Sequence, residues 1–192
     1  MSQAAHPERR DAIDLILDDH RTVDHLFDRF EAMDGTEEPD VRREIVREIT
    51  RELSIHASIE EQLFYPTVRE HLPQGDALVE ESLDEHQAVK ELLAAIEDTD
   101  AADPRFDERV TMLIREVRHH VREEEDEILP ALRARLPEDV LLDLGGRLAE
   151  AKATAPTHPH PLAPDEGGVL KTMGDRAMGF VDRVKDDVSD DA

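Results

Sequence analysis

Two stretches of this chain carry the same three marks at the same spacing. HASIEEQLFYP runs from His56 through Glu60 to Pro66, and HVREEEDEILP runs from His120 through Glu124 to Pro130. In each, histidine and glutamate stand four residues apart, which on a helix puts imidazole and carboxylate one turn apart on one face. A further histidine precedes each stretch, His20 by 36 residues and His86 by 34. A duplicated set of this kind restricts the chain to folds that bring four separate segments to one place.

Each of these histidines lies in a long segment with helical periodicity. The first, about residues 8–33, carries Ile13, Ile16, Leu17, His20, Val23, Phe27 and Phe30 on one stripe, with Gly35 as a natural stop. The second, about 38–71, carries Ile45, Ile49, Leu53, His56, Ile59 and Glu60; the third, about 76–98, carries Val79, Leu83, His86, Val89 and Leu93. The fourth opens on Asp103-Pro104, an N-cap followed by proline at the first helical position, and carries Phe106, Val110, Leu113, Val117, His120 and Glu124. Pro66 and Pro130 predict a kink or an early end. Short connections make such helices antiparallel neighbours, so the expected fold is all-α, an up-down-up-down four-helix bundle.

A shorter fifth helix is expected from Pro137 to about Lys152, weakened in its middle by Gly145-Gly146. The organisation expected is a bundle over 1–152, a proline-rich linker over 153–168, and an acidic tail over 169–192. In that tail Leu170, Met173, Ala177, Phe180 and Val184 recur at the spacing of a short amphipathic helix, a candidate protein-partner segment over 169–188.

Composition limits the function. A formal charge of −25 argues against nucleic acid and anionic membrane surfaces as partners. With no cysteine there is no disulfide, iron–sulfur cluster or thiolate zinc site. No apolar run reaches the ~20 residues of a membrane span, and the charged N-terminal stretch lacks the apolar core of a secretory signal. A cytoplasmic protein is the expectation.

One histidine on an apolar stripe is ordinarily a hydrogen-bonded core residue. Four of them, one per helix and two joined by carboxylates, are different, because burying such a set without a cation leaves costly unpaired charge. The expected ligands are therefore His20, His56, Glu60, His86, His120 and Glu124. The simplest distribution gives each of two metals a pair of histidines, with both glutamates bridging and coordination positions left open. Nitrogen and oxygen ligation without thiolate suits iron best, with manganese or zinc as lesser candidates. His119 points about 100° away from His120 and is read as a surface residue. Glu61 and Glu125 are read as surface charges, with Glu61 also a candidate auxiliary ligand, and Tyr65 is read as packing.

The pattern resembles the hemerythrin-like, cation-binding HHE family over about residues 8–150. His20, His56-x-x-x-Glu60, His86 and His120-x-x-x-Glu124 carry the resemblance, with Pro66 and Pro130 in the family's places. It implies a four-helix bundle holding two iron ions, oxo- or hydroxo-bridged when oxidised, with ligand roles for those six residues. Oxygen-carrying hemerythrins have a fifth histidine where this chain has Lys90. The resemblance thus implies sensing of, or chemistry with, oxygen, nitric oxide or peroxide rather than reversible oxygen transport. An iron- or oxygen-state sensor that signals through the C-terminal segment is the alternative.

Overall fold

The computed structural model describes residues 10–33 and 38–158. Helix α1 (Ala12–Glu31) begins where the Asp11 side chain accepts the Asp14 backbone N–H at 2.9 Å, a cap that fixes the start later than periodicity alone suggests. Helix α2 (Pro39–Ile59) runs through a π-helical turn (Glu60–Phe64) into α3 (Tyr65–His71). After α4 (Gly75–Glu97), helix α5 (Pro104–Glu123) repeats the pattern, with a second π-turn (Glu124–Ile128) leading into α6 (Leu129–Arg133). Helix α7 (Glu138–Lys152) follows. The described residues thus form five helical rods and no strand, with α2–α3 and α5–α6 each counting as one rod. No described helix is long and apolar enough to cross a membrane.

The expected cap at Asp103 is present, its carboxylate accepting the Arg105 N–H at 2.9 Å with Pro104 in the first turn. Of the two outcomes expected at the prolines, an early end is not found. Neither ends its rod. Proline has no N–H to give and its ring crowds the preceding turn, and in both rods the helix widens into the i→i+5 pattern just before it, then resumes. Residues 153–158 are irregular, with a turn at 153–154 and a bend at 157–158; Gly35, the rest of the expected linker and the tail over 169–192 lie outside the described residues.

Rods pack α1 on α2, α3 on α4, α4 on α5 and α1 on α5, closing the bundle, while α7 lies against α1 and α2. The core is split in two. One apolar cluster contains Ile16, Ile59, Phe64, Val68, Ile128, Leu132, Leu144 and Leu148; the other contains Val23, Phe27, Ile49, Leu53, Val89, Leu93, Phe106 and Leu113. The histidines of the stripes fall between them in sequence, as His20 does between Ile16 and Val23.

The glycine pair in α7 divides its labour. Gly145 is buried, and a Cβ there would lie 2.5 Å from the Arg10 carbonyl oxygen and 2.8 Å from the Asp11 carbonyl carbon, so the missing side chain lets α7 touch the entry to α1. Gly146 is exposed, with nothing within 4 Å of such an atom. Gly145→Ala should lower stability by about 1–3 kcal/mol through overpacking. Gly146→Ala should raise it by up to about 1 kcal/mol through helix propensity. Denaturant melts of the two variants check the contrast.

Candidate metal centre

The six side chains singled out by the sequence come from four rods and meet in one layer. His20 projects from α1 and His86 from α4, while His56 and His120 stand in the last turns of α2 and α5, and Glu60 and Glu124 open the two π-turns. All six are buried, and both glutamates are at 0% exposure.

His20 Nε2 lies 3.3 Å from Glu124 Oε2, and His56 Nε2 lies 3.2 Å from Glu60 Oε2. His86 Nε2 lies 3.4 Å from Glu60 Oε2 and 3.1 Å from His120 Nε2, which is 3.8 Å from Glu124 Oε2. Two groups result. His20, His56, Glu60 and Glu124 each offer a ligand-type atom within 4.8 Å of the others, and so do Glu60, His86 and His120. Glu60 belongs to both.

An outer ring of carboxylates fixes how the imidazoles face. His20 Nδ1 donates to Glu125 Oε1 and His86 Nδ1 to Glu61 Oε1, both at 2.9 Å, and His120 Nδ1 donates to Glu85 Oε2 at 2.7 Å. His56 Nδ1 faces Asp19 Oδ2 at 3.7 Å, outside hydrogen-bond range. With the proton held on Nδ1, Nε2 turns a lone pair inward. The ring follows the duplication: Asp19 and Glu85 immediately precede His20 and His86, and Glu61 and Glu125 immediately follow Glu60 and Glu124. Two of the outer carboxylates are themselves held by lysine, Asp19 by Lys152 and Glu61 by Lys90, whose Nζ donates to both oxygens at 2.8 and 3.0 Å.

This donor set fits a cation. Among the buried atoms without a hydrogen-bond partner are His20 Nε2, His56 Nε2, both oxygens of Glu60 and Glu124 Oε2, all turned into the layer. Buried polar atoms are ordinarily satisfied, and leaving them so costs free energy. Metal bonds of roughly 2.1 Å would hold neighbouring ligands about 3–3.5 Å apart, close to the separations found.

In the protein without a cation, protons take up part of that role. Burial pushes Glu60 well above the usual carboxylate range, and the charge of Glu124 adds to this. Burial also acts to raise Glu124, but His120, His20 and His56 outweigh it and hold that carboxyl well below its ordinary value. Burial pulls His56 down to about 4 against the opposing pull of Asp19, and lowers His86 against that of Glu61. For His120 burial acts downward, but Glu124 and Glu85 prevail and the imidazole is raised. Two carboxylates this close do not both ionise unaided.

The family model of the hemerythrin HHE cation binding domain matches residues 11–132. The chain belongs to that family. Among its relatives is an uncharacterized hemerythrin-like protein of Schizosaccharomyces pombe, 26% identical over 174 residues, which are 90% of this chain and 84% of that one. A DNA nickase of a Nostoc species is 31% identical over 136 residues, 71% of this chain but only 37% of the nickase. The crystal structure of a hemerythrin HHE cation binding domain-containing protein from Mycobacterium kansasii superposes with a TM-score of 0.65 at 22% identity, covering 76% of this chain and 86% of that one. This HHE domain is therefore a hemerythrin-like bundle with a buried cation-binding cluster of histidine and glutamate.

Sequence reasoning placed His119 outside the layer, and its side chain is 52% exposed beside Glu123 at 3.4 Å and Glu85 at 3.8 Å. It missed the roles of Glu125 and Glu85, although an acid stands beside a ligand-type residue in both halves. It also missed Tyr65, whose hydroxyl donates to Glu124 Oε1 at 3.0 Å and lies 3.1 Å from His86 Nε2.

Glu85→Gln should weaken metal binding by about 10–100-fold, the usual loss when a ligand's outer partner is changed. His119→Ala should leave it unchanged. Competition with a chromophoric chelator measures both.

Proposed function

We propose that His20, His56, Glu60, His86, His120 and Glu124 hold two iron ions, and that the centre binds or reacts with a small oxidant: oxygen, nitric oxide or peroxide. The observation that carries this reading is the set of inward lone pairs left without hydrogen-bond partners between two apolar clusters. Each group pairs two imidazoles with carboxylate, and iron held by two imidazoles and a carboxylate keeps open positions, so room would remain for an exogenous ligand. Bound iron supplies redox and Lewis-acid chemistry.

The protein's own part is to hold and to exclude. Glu125, Glu61 and Glu85 keep three imidazoles in one tautomer and one orientation, so their Nε2 atoms are aimed before anything binds. Phe64, Ile59, Ile128 and Leu53 keep water from the layer, which strengthens every electrostatic interaction within it. Lys90 occupies the position of the further histidine of oxygen-carrying hemerythrins and is committed to Glu61. Oxidant chemistry or sensing fits this arrangement better than reversible transport. The nickase activity of the Nostoc relative is not carried over, because the match spans little of that protein and a net charge of −25 disfavours DNA.

His56→Ala or Glu60→Ala should lose at least one metal per chain by elemental analysis. Each should also destabilise the protein by about 3–5 kcal/mol, the cost of breaking a buried charged cluster, or on the order of 10 °C in melting temperature for a domain of this size. Rapid mixing of reduced, iron-loaded protein with oxygen, nitric oxide and peroxide should change the iron spectrum with at least one of them. Silence toward all three would rule the oxidant reading out.

A further inference from the structure

The duplication breaks at one position inside the layer. Five residues after Glu60 stands Tyr65, and five after Glu124 stands Leu129. On a regular α-helix a residue five along is turned about 140° away, off the ligand face. Here the π-turns intervene: the Tyr65 N–H bonds to the Glu60 carbonyl and the Leu129 N–H to the Glu124 carbonyl. Widening the turn carries the fifth residue back toward the glutamate's own face. In one half that places a phenol in the layer, in the other an isobutyl group.

Tyr65 is 1% exposed. Its ring lies 5.4 Å from the His86 ring, and its oxygen stands 3.1 Å from His86 Nε2 and 3.0 Å from Glu124 Oε1. The phenol has one proton and gives it to Glu124. His86 has committed its own ring proton to Glu61, so the phenol oxygen and His86 Nε2 face each other as two donors of electron pairs. His86 Nε2 and His120 Nε2 also stand 3.1 Å apart. The phenol oxygen therefore stands among the ligand atoms, at the separation neighbouring ligands keep.

We propose that the Tyr65 oxygen is a seventh protein ligand, bound on the His86–His120 side, and that the two halves of the duplicated centre are chemically unlike. The inference rests on the metal-binding reading above. On coordination the phenol O–H bond breaks, an oxygen–metal bond forms, and the proton is lost to bulk water; the positive charge of the cation drives that loss. A phenolate on one side stabilises the ferric state there over the ferrous, so the two irons should differ in how readily they are reduced.

The test uses the full-length protein loaded with ferric iron, its iron content measured first. Resonance Raman excitation across its visible absorption should enhance tyrosinate ring modes, the signature of a phenolate-to-iron charge-transfer band. Tyr65→Phe should lose both band and modes from the iron it still binds, its iron content being measured alongside. The wild-type spectrum decides the question even if the variant folds poorly. Bound iron without tyrosinate modes would overturn this inference and leave the metal-binding reading standing. Failure of the wild-type protein to take up iron would overturn both.

Discussion

Histidine nitrogens and carboxylate oxygens turned on one another in a buried layer are the constraint around which this bundle is built. His20, His56, His86 and His120 aim Nε2 inward, and Glu60 and Glu124 aim carboxylates at the same space. Apolar side chains lie on both sides and the six side chains are buried, so bulk solvent does not reach them. A folded chain can endure this if positive charge enters the layer. Protons do so in part, at Glu60 and His120, and metal ions would do so more completely. The two apolar clusters hold the helices together; the layer between them fixes which helices meet and at what level.

The outer ring shows how much of the chain is committed to aiming these atoms. Glu61, Glu85 and Glu125 each hold a ring proton on the far side of an imidazole, and Lys90 in turn fixes Glu61. Much of the chain's acidity is surface charge, but these three belong to the centre. Lys152 brings α7 into the same system through Asp19. Helix α7 thus does more than cover apolar surface, since it also supplies a cation to the ring around the site.

Most of this was legible in the chain, and what escaped has a physical cause. The 3.6-residue period located the rods because their apolar stripes are long and the cap at Asp103 uses ordinary chemistry. The six inward residues were legible because histidine and glutamate on an apolar stripe are conspicuous. Tyr65 and Glu125 were not, because that reasoning assumed a regular α-helix beyond Glu60 and Glu124. Both residues lie in or just after a turn with a different period. The prolines announced a disturbance but not its kind. A break, a kink and a π-turn can each accommodate a proline that lacks an N–H, and the sequence does not choose among them.

The sharing of the glutamates has a consequence for how the protein assembles. The α1–α3 hairpin lends Glu60 and Glu61 to His86 of the other hairpin, and the α4–α6 hairpin returns Glu124 and Glu125 to His20. Neither hairpin is self-sufficient, since each owns one histidine whose acidic partners reside on its twin. Docking of the hairpins and completion of the cluster are consequently a single event, and an ion held there acts as a rivet between two similar halves of one chain.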